Sequence, residues 1–122
     1  MKYKPEFPVS FTAEQLETDL KQALNVGKVR LGNLALFFSR FAGGTFMPYS
    51  EVQHAYLRQE EVNAKLCCGR ANFDQFFLMI KGSDGKLRKH QVDDMNKGKL
   101  ALEHIARCNP ACLIGYQKSA TA

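Results

Sequence analysis

Two stretches of the chain, Leu34 to Phe41 and Phe73 to Lys81, carry apolar residues on both faces that a β-strand would present. A strand turns alternate side chains to opposite sides. Leu34, Leu36 and Phe38 therefore oppose Ala35, Phe37 and Phe41, and Phe76, Leu78 and Ile80 oppose Phe73, Phe77 and Met79. A half-solvated antiparallel strand shows a cleaner alternation of apolar and polar residues. Each stretch has to be covered twice. Two amphipathic helices, one near each end of the chain, are the expected covers. A partner subunit on an aromatic face, giving a homodimer, is the alternative.

The first helix is expected over about 12–25. Thr12 and Gln15 have the form of a capping box, and Leu16, Leu20, Ala23 and Leu24 follow on one face before Asn25 and Gly27. The second is expected over about 94–108, started by Asp93 or Asp94 and stopped before Asn109-Pro110, because proline disfavours helical geometry in the residue preceding it. Leu102, Ile105 and Ala106 form its apolar face. Between them, about 28–92 reads as seven short strands: Val29–Leu31, Leu34–Phe41, Phe46–Met47, Val52–Glu60, Ala64–Cys68, Phe73–Lys81 and Lys86–Val92. Gly32-Asn33, Ala42-Gly43-Gly44 and Gly82–Gly85 are the turns between them, Pro48 confines its piece to an edge or strand end, and Leu113–Tyr116 is a short extended tail. With no repeat or linker, residues 1–122 read as a single α+β domain, barrel-like and without βαβ alternation.

This order resembles the plan of a pleckstrin-homology-like (PH-like) barrel, in the manner of small bacterial PH-like proteins of unknown function. The residues that carry the resemblance are Arg30-Leu31-Gly32, Leu36-Phe37-Phe38, the run Met47 to Val52 leading to Tyr56, and Asn109-Pro110 before Leu113-Ile114-Gly115-Tyr116. It covers about residues 28–117. The resemblance implies an antiparallel barrel closed by the C-terminal helix, with the N-terminal helix as an extra element. The basic strand-turn-strand that holds lipid headgroups in well-known members of that family has no counterpart at Gly32-Asn33, so no such site is carried over. Folds of this kind host many unrelated binding functions.

Composition narrows the function classes. The chain has 122 residues, 45% of them hydrophobic, and nine phenylalanines, which argues against intrinsic disorder. No run reaches the roughly 18 apolar residues of a membrane span. Met1 to Thr12 lacks the apolar stretch of a secretory signal, which favours a cytoplasmic location with reduced thiols. The net charge of +5 lies wholly in the second half: residues 1–61 hold seven basic and seven acidic groups, and 62–122 hold ten and five.

The chemistry-bearing residues do not converge into a known signature. His104, Cys108 and Cys112 are spaced at four and eight, and Cys67-Cys68 could add thiolates, but zinc needs about four converging ligands. The cysteines read as buried, unligated thiols, and no cofactor is expected. His54, His90 and His104 lie in separate elements, no nucleophile elbow or paired catalytic motif is present, and Asp93-Asp94 reads as helix capping. A small enzyme using His54 or His90 as acid or base is the weakest reading. The one strip with binding potential is basic: Lys86, Arg88 and His90 alternate on a strand, with Lys89 and Lys97 close by. It could hold a phosphate-bearing ligand, a membrane headgroup or an acidic peptide. Charge protecting an edge strand is the simpler and favoured explanation. Residues 86–99 contain no Phe or Tyr to stack on bases, so specific nucleic-acid binding is not expected. The sequence thus reads as a non-enzymatic binding or scaffolding domain for a protein partner, with anionic-ligand binding through the strip as the alternative.

Overall fold

The computed structural model describes residues 3–40, 43–66 and 69–115, with side chains described outside 61–73. In chain order the elements are β1 (Tyr3–Pro5), α1 (Ala13–Gln22), β2 (Leu24–Asn25), β3 (Val29–Leu31), β4 (Ala35–Arg40), β5 (Gly43–Pro48), a 3-10 turn (Tyr49–Glu51), β6 (Val52–Leu66), β7 (Gly69–Gly82), β8 (Leu87–Val92), α2 (Met95–Cys108) and β9 (Leu113–Ile114). They form two sheets, a five-stranded one in the order β1-β5-β4-β3-β2 and a four-stranded one in the order β8-β7-β6-β9. The sheets meet where Gly27 bridges Val92, with the Lys28 amide donating to the Gln91 carbonyl at 2.9 Å and the Asp93 amide to the Val26 carbonyl at 3.0 Å.

Several sequence expectations are corrected. The architecture is mixed α+β, but the described strands are those of two open sheets, not one closed barrel, and there are nine rather than seven. They are not wholly antiparallel either. β1 runs parallel to β5, and β9 parallel to β6, because these short strands come in from distant parts of the chain and not through hairpins. The first helix ends at Gln22, since Leu24 and Asn25 pair with Leu31 and Arg30 instead of continuing the coil. Gly43 and Gly44, expected in a turn, open β5. Gly44 lies so close to β4 that a Cβ there would overlap the Phe38 carbonyl. Val52–Glu60 and Ala64–Cys68, read as two strands, belong to the single strand β6 as far as Leu66; Phe41, Cys67 and Cys68 lie outside the described residues.

Strand β4 lies inside the molecule. Leu36 and Phe38 point into a core with Val29, Leu31, Met47, Val52, Leu78 and Ile80, closed by Ala101 and Ile105 of α2. Ala35 and Phe37 point the other way, against Phe46 and Leu16 of α1, with Tyr3, Val9 and Phe11 around them. Each buried phenylalanine here contributes roughly 1.5–3 kcal/mol. The capping box at Thr12 and Gln15 is present, with both reciprocal hydrogen bonds made at 3.0 and 3.1 Å.

The helix α1 is fixed to its sheet by one buried charge. Asp19 is 4% exposed, and its carboxylate accepts from the backbone amides of Asn33 (2.6 Å), Leu34 (2.9 Å) and Ala35 (3.3 Å) and from Gln22 Nε2 (2.8 Å). Those amides form the turn between β3 and β4. Gly32 makes room for the carboxylate, since a Cβ there would overlap it. Replacing Asp19 by Ala strands three amides and should cost about 3–5 kcal/mol in a urea melt. Gly32→Ala should cost a similar amount by displacing the carboxylate. The double variant should lose clearly less than the sum, because both substitutions break one interaction.

Candidate functional site

Along β8 the residues alternate between an outer set, Leu87, Lys89 and Gln91, and an inner set, Arg88, His90 and Val92. Arg88 and His90 do share a face, but that face is turned into the protein. The Arg88 side chain is 9% exposed. Its Nε donates to Glu6 Oε1 at 2.5 Å, its Nη2 to Asp84 Oδ2 at 2.9 Å, and its Nη1 to the Lys86 carbonyl at 3.1 Å. The guanidinium also lies 5.2 Å from the centre of the Phe7 ring. The hydrogen bond from Arg88 holds the Asp84 carboxyl down to about 2. The Arg88 pKa is in turn raised, first by Asp84 and further by Glu6. Arg88 thus ties the N-terminal segment to the β7–β8 turn.

His90 stacks on Phe38 with ring centres 4.1 Å apart and planes within 3°. Burial pushes its pKa down to about 4; Arg40 and Arg88 lower it further, and Glu6 opposes them. The ring is therefore neutral aromatic packing at pH 7. Lys89 lies on the opposite side of the strand, with Nζ 2.6 Å from Glu60 Oε2 and 4.3 Å from the centre of the Phe77 ring. Lys97, in the first turn of α2, faces Asp93 at 3.3 Å. Lys86 lines an open cavity of about 370 Å³ with Glu6, Arg40, Asp84, Leu87 and Arg88. Of the five strip residues, the structure brings Lys86, Arg88 and His90 to one side and leaves Lys89 and Lys97 elsewhere.

The remaining candidates have structural partners. His54 Nε2 lies 2.6 Å from the Gly115 carbonyl, and His104 Nε2 lies 2.7 Å from the Gly32 carbonyl. A carbonyl accepts only, so both Nε2 atoms carry the proton. Tyr49 donates to the same Gly32 oxygen at 2.5 Å, and burial raises its pKa. Cys108 Sγ sits 3.6 Å from His104 Nε2. Desolvation raises the Cys108 thiol pKa, and that histidine nitrogen is already donating, so the pair lacks the features of an activated nucleophile. The expectation of buried thiols is corrected here: Cys108 is exposed and Cys112 partly so, both free. Proline 110 breaks the helix between them. Among the described residues, no three His, Cys, Asp or Glu side chains converge as metal ligands.

Asp19 is the residue that sequence reasoning missed. A signal was present: it falls within the apolar stripe of Leu16, Leu20 and Ala23, where an ionised side chain needs a buried partner.

A family described as a domain of unknown function (DUF6709) matches residues 7–122. The chain belongs to this family. No curated protein and no solved structure matches it. The matched span takes in Asp19, Arg88 and both helices; Glu6 and β1 precede it. Among the described residues, no helix is long and apolar enough to cross a membrane.

The pH dependence of folding tests the assignment of His90. Its pKa falls from 6.5 to about 4 on folding, so its contribution is fully present above pH 6.5 and lost as pH falls toward 4. Unfolding free energy should drop by about 2–3 kcal/mol over that window. His90→Phe, which keeps the ring over Phe38, should flatten the profile there. Asp84 acts in a separate window, since its depressed pKa costs stability only as pH falls from 3.8 toward 2.

Proposed function

We propose that this DUF6709 chain is a non-enzymatic protein-interaction module that binds by strand addition to the β6–β7 hairpin. The observation that carries the reading is the length of that hairpin. Among the described residues, β8 pairs with β7 only from Phe76 to Lys81, and β9 pairs with β6 only at His54 and Ala55. The rungs from Glu60↔Gln75 to Leu66↔Gly69 run past both neighbours as a two-stranded arm, roughly 20 Å long at the usual rise. A two-stranded ribbon is at best marginally stable alone in water, and an uncovered strand edge is a template for another chain. Strand addition to such an edge is a general mode of protein recognition.

Further support comes from the way the charged side chains are used. Arg88, Lys89 and Lys97 each lie beside a carboxylate, which weakens the anionic-ligand reading. The PH-like reading of the fold is supported by the order of strands before α2 and by the position of that helix against the core shared by both sheets. A homodimer through the aromatic faces of β4 loses its motive, because residues of this chain cover both.

A photo-crosslinking residue tests the reading when placed in the full chain in cells, at position 75 on the arm and at position 14 on α1. A discrete adduct of defined mass is expected at 75 and none at 14; no adduct at 75 overturns the proposal. Sedimentation with phosphatidylserine vesicles supplies the counter-test, with no salt-sensitive binding expected. Binding that is lost on Lys86→Glu would install the anionic-surface reading instead. Lys86 is the variant of choice because reversing Arg88 would break its two ion pairs.

A further inference from the structure

The arm has a register that places like charges opposite one another. Glu61 pairs with Asp74, and Lys65 pairs with Arg70, with Asn63↔Asn72 between them. Directly opposed like charges destabilise a strand pair. Two such rungs in one short ribbon call for neighbours of opposite sign on an outer edge.

The outer edge of β7 can provide those neighbours from its own sequence. β8 covers β7 from Phe76 onward, and among the described residues no strand pairs with the outer edge from Gly69 to Gln75, a stretch centred on Asn72. We infer that this edge pairs with the same edge of a second copy of the chain, antiparallel about a two-fold axis at Asn72. The inference rests on the reading of the arm as a strand-addition site and names its occupant. In that register Arg70 stands opposite Asp74 of the second copy, and Asp74 opposite its Arg70. Ala71 stands opposite Phe73, and Gly69 opposite Gln75. Each charge of β7 then has a like charge on one side and an opposite charge on the other.

A symmetric pairing of this kind is self-complementary, as a two-fold interface must be. The outer edge of β6 carries a comparable Glu61-to-Lys65 spacing, but an axis at Asn63 would set Glu60 opposite Leu66. The β7 edge avoids that mismatch. Asp74 is exposed, as this pairing requires.

Charge reversal separates this arrangement from any other contact. Arg70→Asp sets Asp in register with Asp74 of the second copy, yet within its own ribbon it stands in register with Lys65, a residue of opposite charge. Asp74→Arg is set in register with Arg70 of the second copy and, within its own ribbon, with Glu61. Each single variant should fold with no loss of thermal stability and should dimerise at least about tenfold more weakly. An equimolar mixture of the two should form a one-to-one heterodimer, because both rungs then join Asp to Arg. The double variant should recover the homodimer.

Sedimentation velocity and native mass spectrometry over a concentration series read all four cases, against a 13.8 kDa monomer. A wild-type chain that stays monomeric throughout overturns the inference. So does a dimer indifferent to both reversals, or a mixture that fails to associate. A monomeric wild type that still gives an adduct with a different protein at position 75 removes the second copy and leaves the interaction module standing. A monomer with no adduct at that position removes both.

Discussion

Strand β4 is buried on both faces, and that burial dictates the layering around it. Leu36 and Phe38 need one apolar neighbourhood, Ala35 and Phe37 another, and all four are fully buried. The first is met by the second sheet and α2, the second by α1 and the N-terminal segment. Burying Phe37 and Phe38 together contributes several kcal/mol, so neither cover can be removed without exposing an aromatic surface. The helices hold β4 between them, and the long hairpin projects from the second sheet.

Apolar contact alone does not fix how the covers sit, and two charged groups supply the direction. Asp19 docks α1 by accepting the amides of the β3–β4 turn, a geometry that no sliding of the helix preserves. Arg88 joins Glu6, which precedes α1, to Asp84 in the turn before its own strand. A buried ion pair is weak support for net stability, because desolvation offsets much of the attraction. Its partners are nonetheless specific. The pairing of Arg88 with Glu6 and Asp84, and of Lys89 with Glu60, explains why a chain with a basic second half presents so little uncompensated charge along β8.

The parts of the fold legible in the sequence are those encoded locally. The capping box at Thr12, the span of α2 between Asp94 and Asn109, and the turn closed from Gly85 to Gly82 follow from side-chain chemistry within a few residues. β1 and β2 were not legible, because strands of three and two residues exist only through pairing with distant partners. The arm escaped for the same reason: Asn63, Ala64, Lys65 and Asn72 have little strand propensity, and the opposite strand holds them extended. On β8, alternation placed Arg88 and His90 together but could not say which way they face. Distant partners fix that, Glu6 for Arg88 from 82 positions away and Phe38 for His90.

The arm and the core stand in opposite relation to the rest of the chain. In the core, every apolar face has a cover and every buried side-chain polar atom among the described residues has a partner. In the arm, the register opposes acid to acid and base to base, an arrangement that a hairpin shaped only for its own stability would exchange by swapping one residue in each rung. Natural sequences are largely free of such local conflicts except where a site has a further role. A rung of like charges costs little at a solvated edge, so the fold tolerates it. Its effect grows when a second strand lies alongside and water is displaced. A charge pattern that is slightly unfavourable alone and favourable in a paired state favours one register, since a shift by one residue moves Arg70 of one copy and Asp74 of the other to opposite faces.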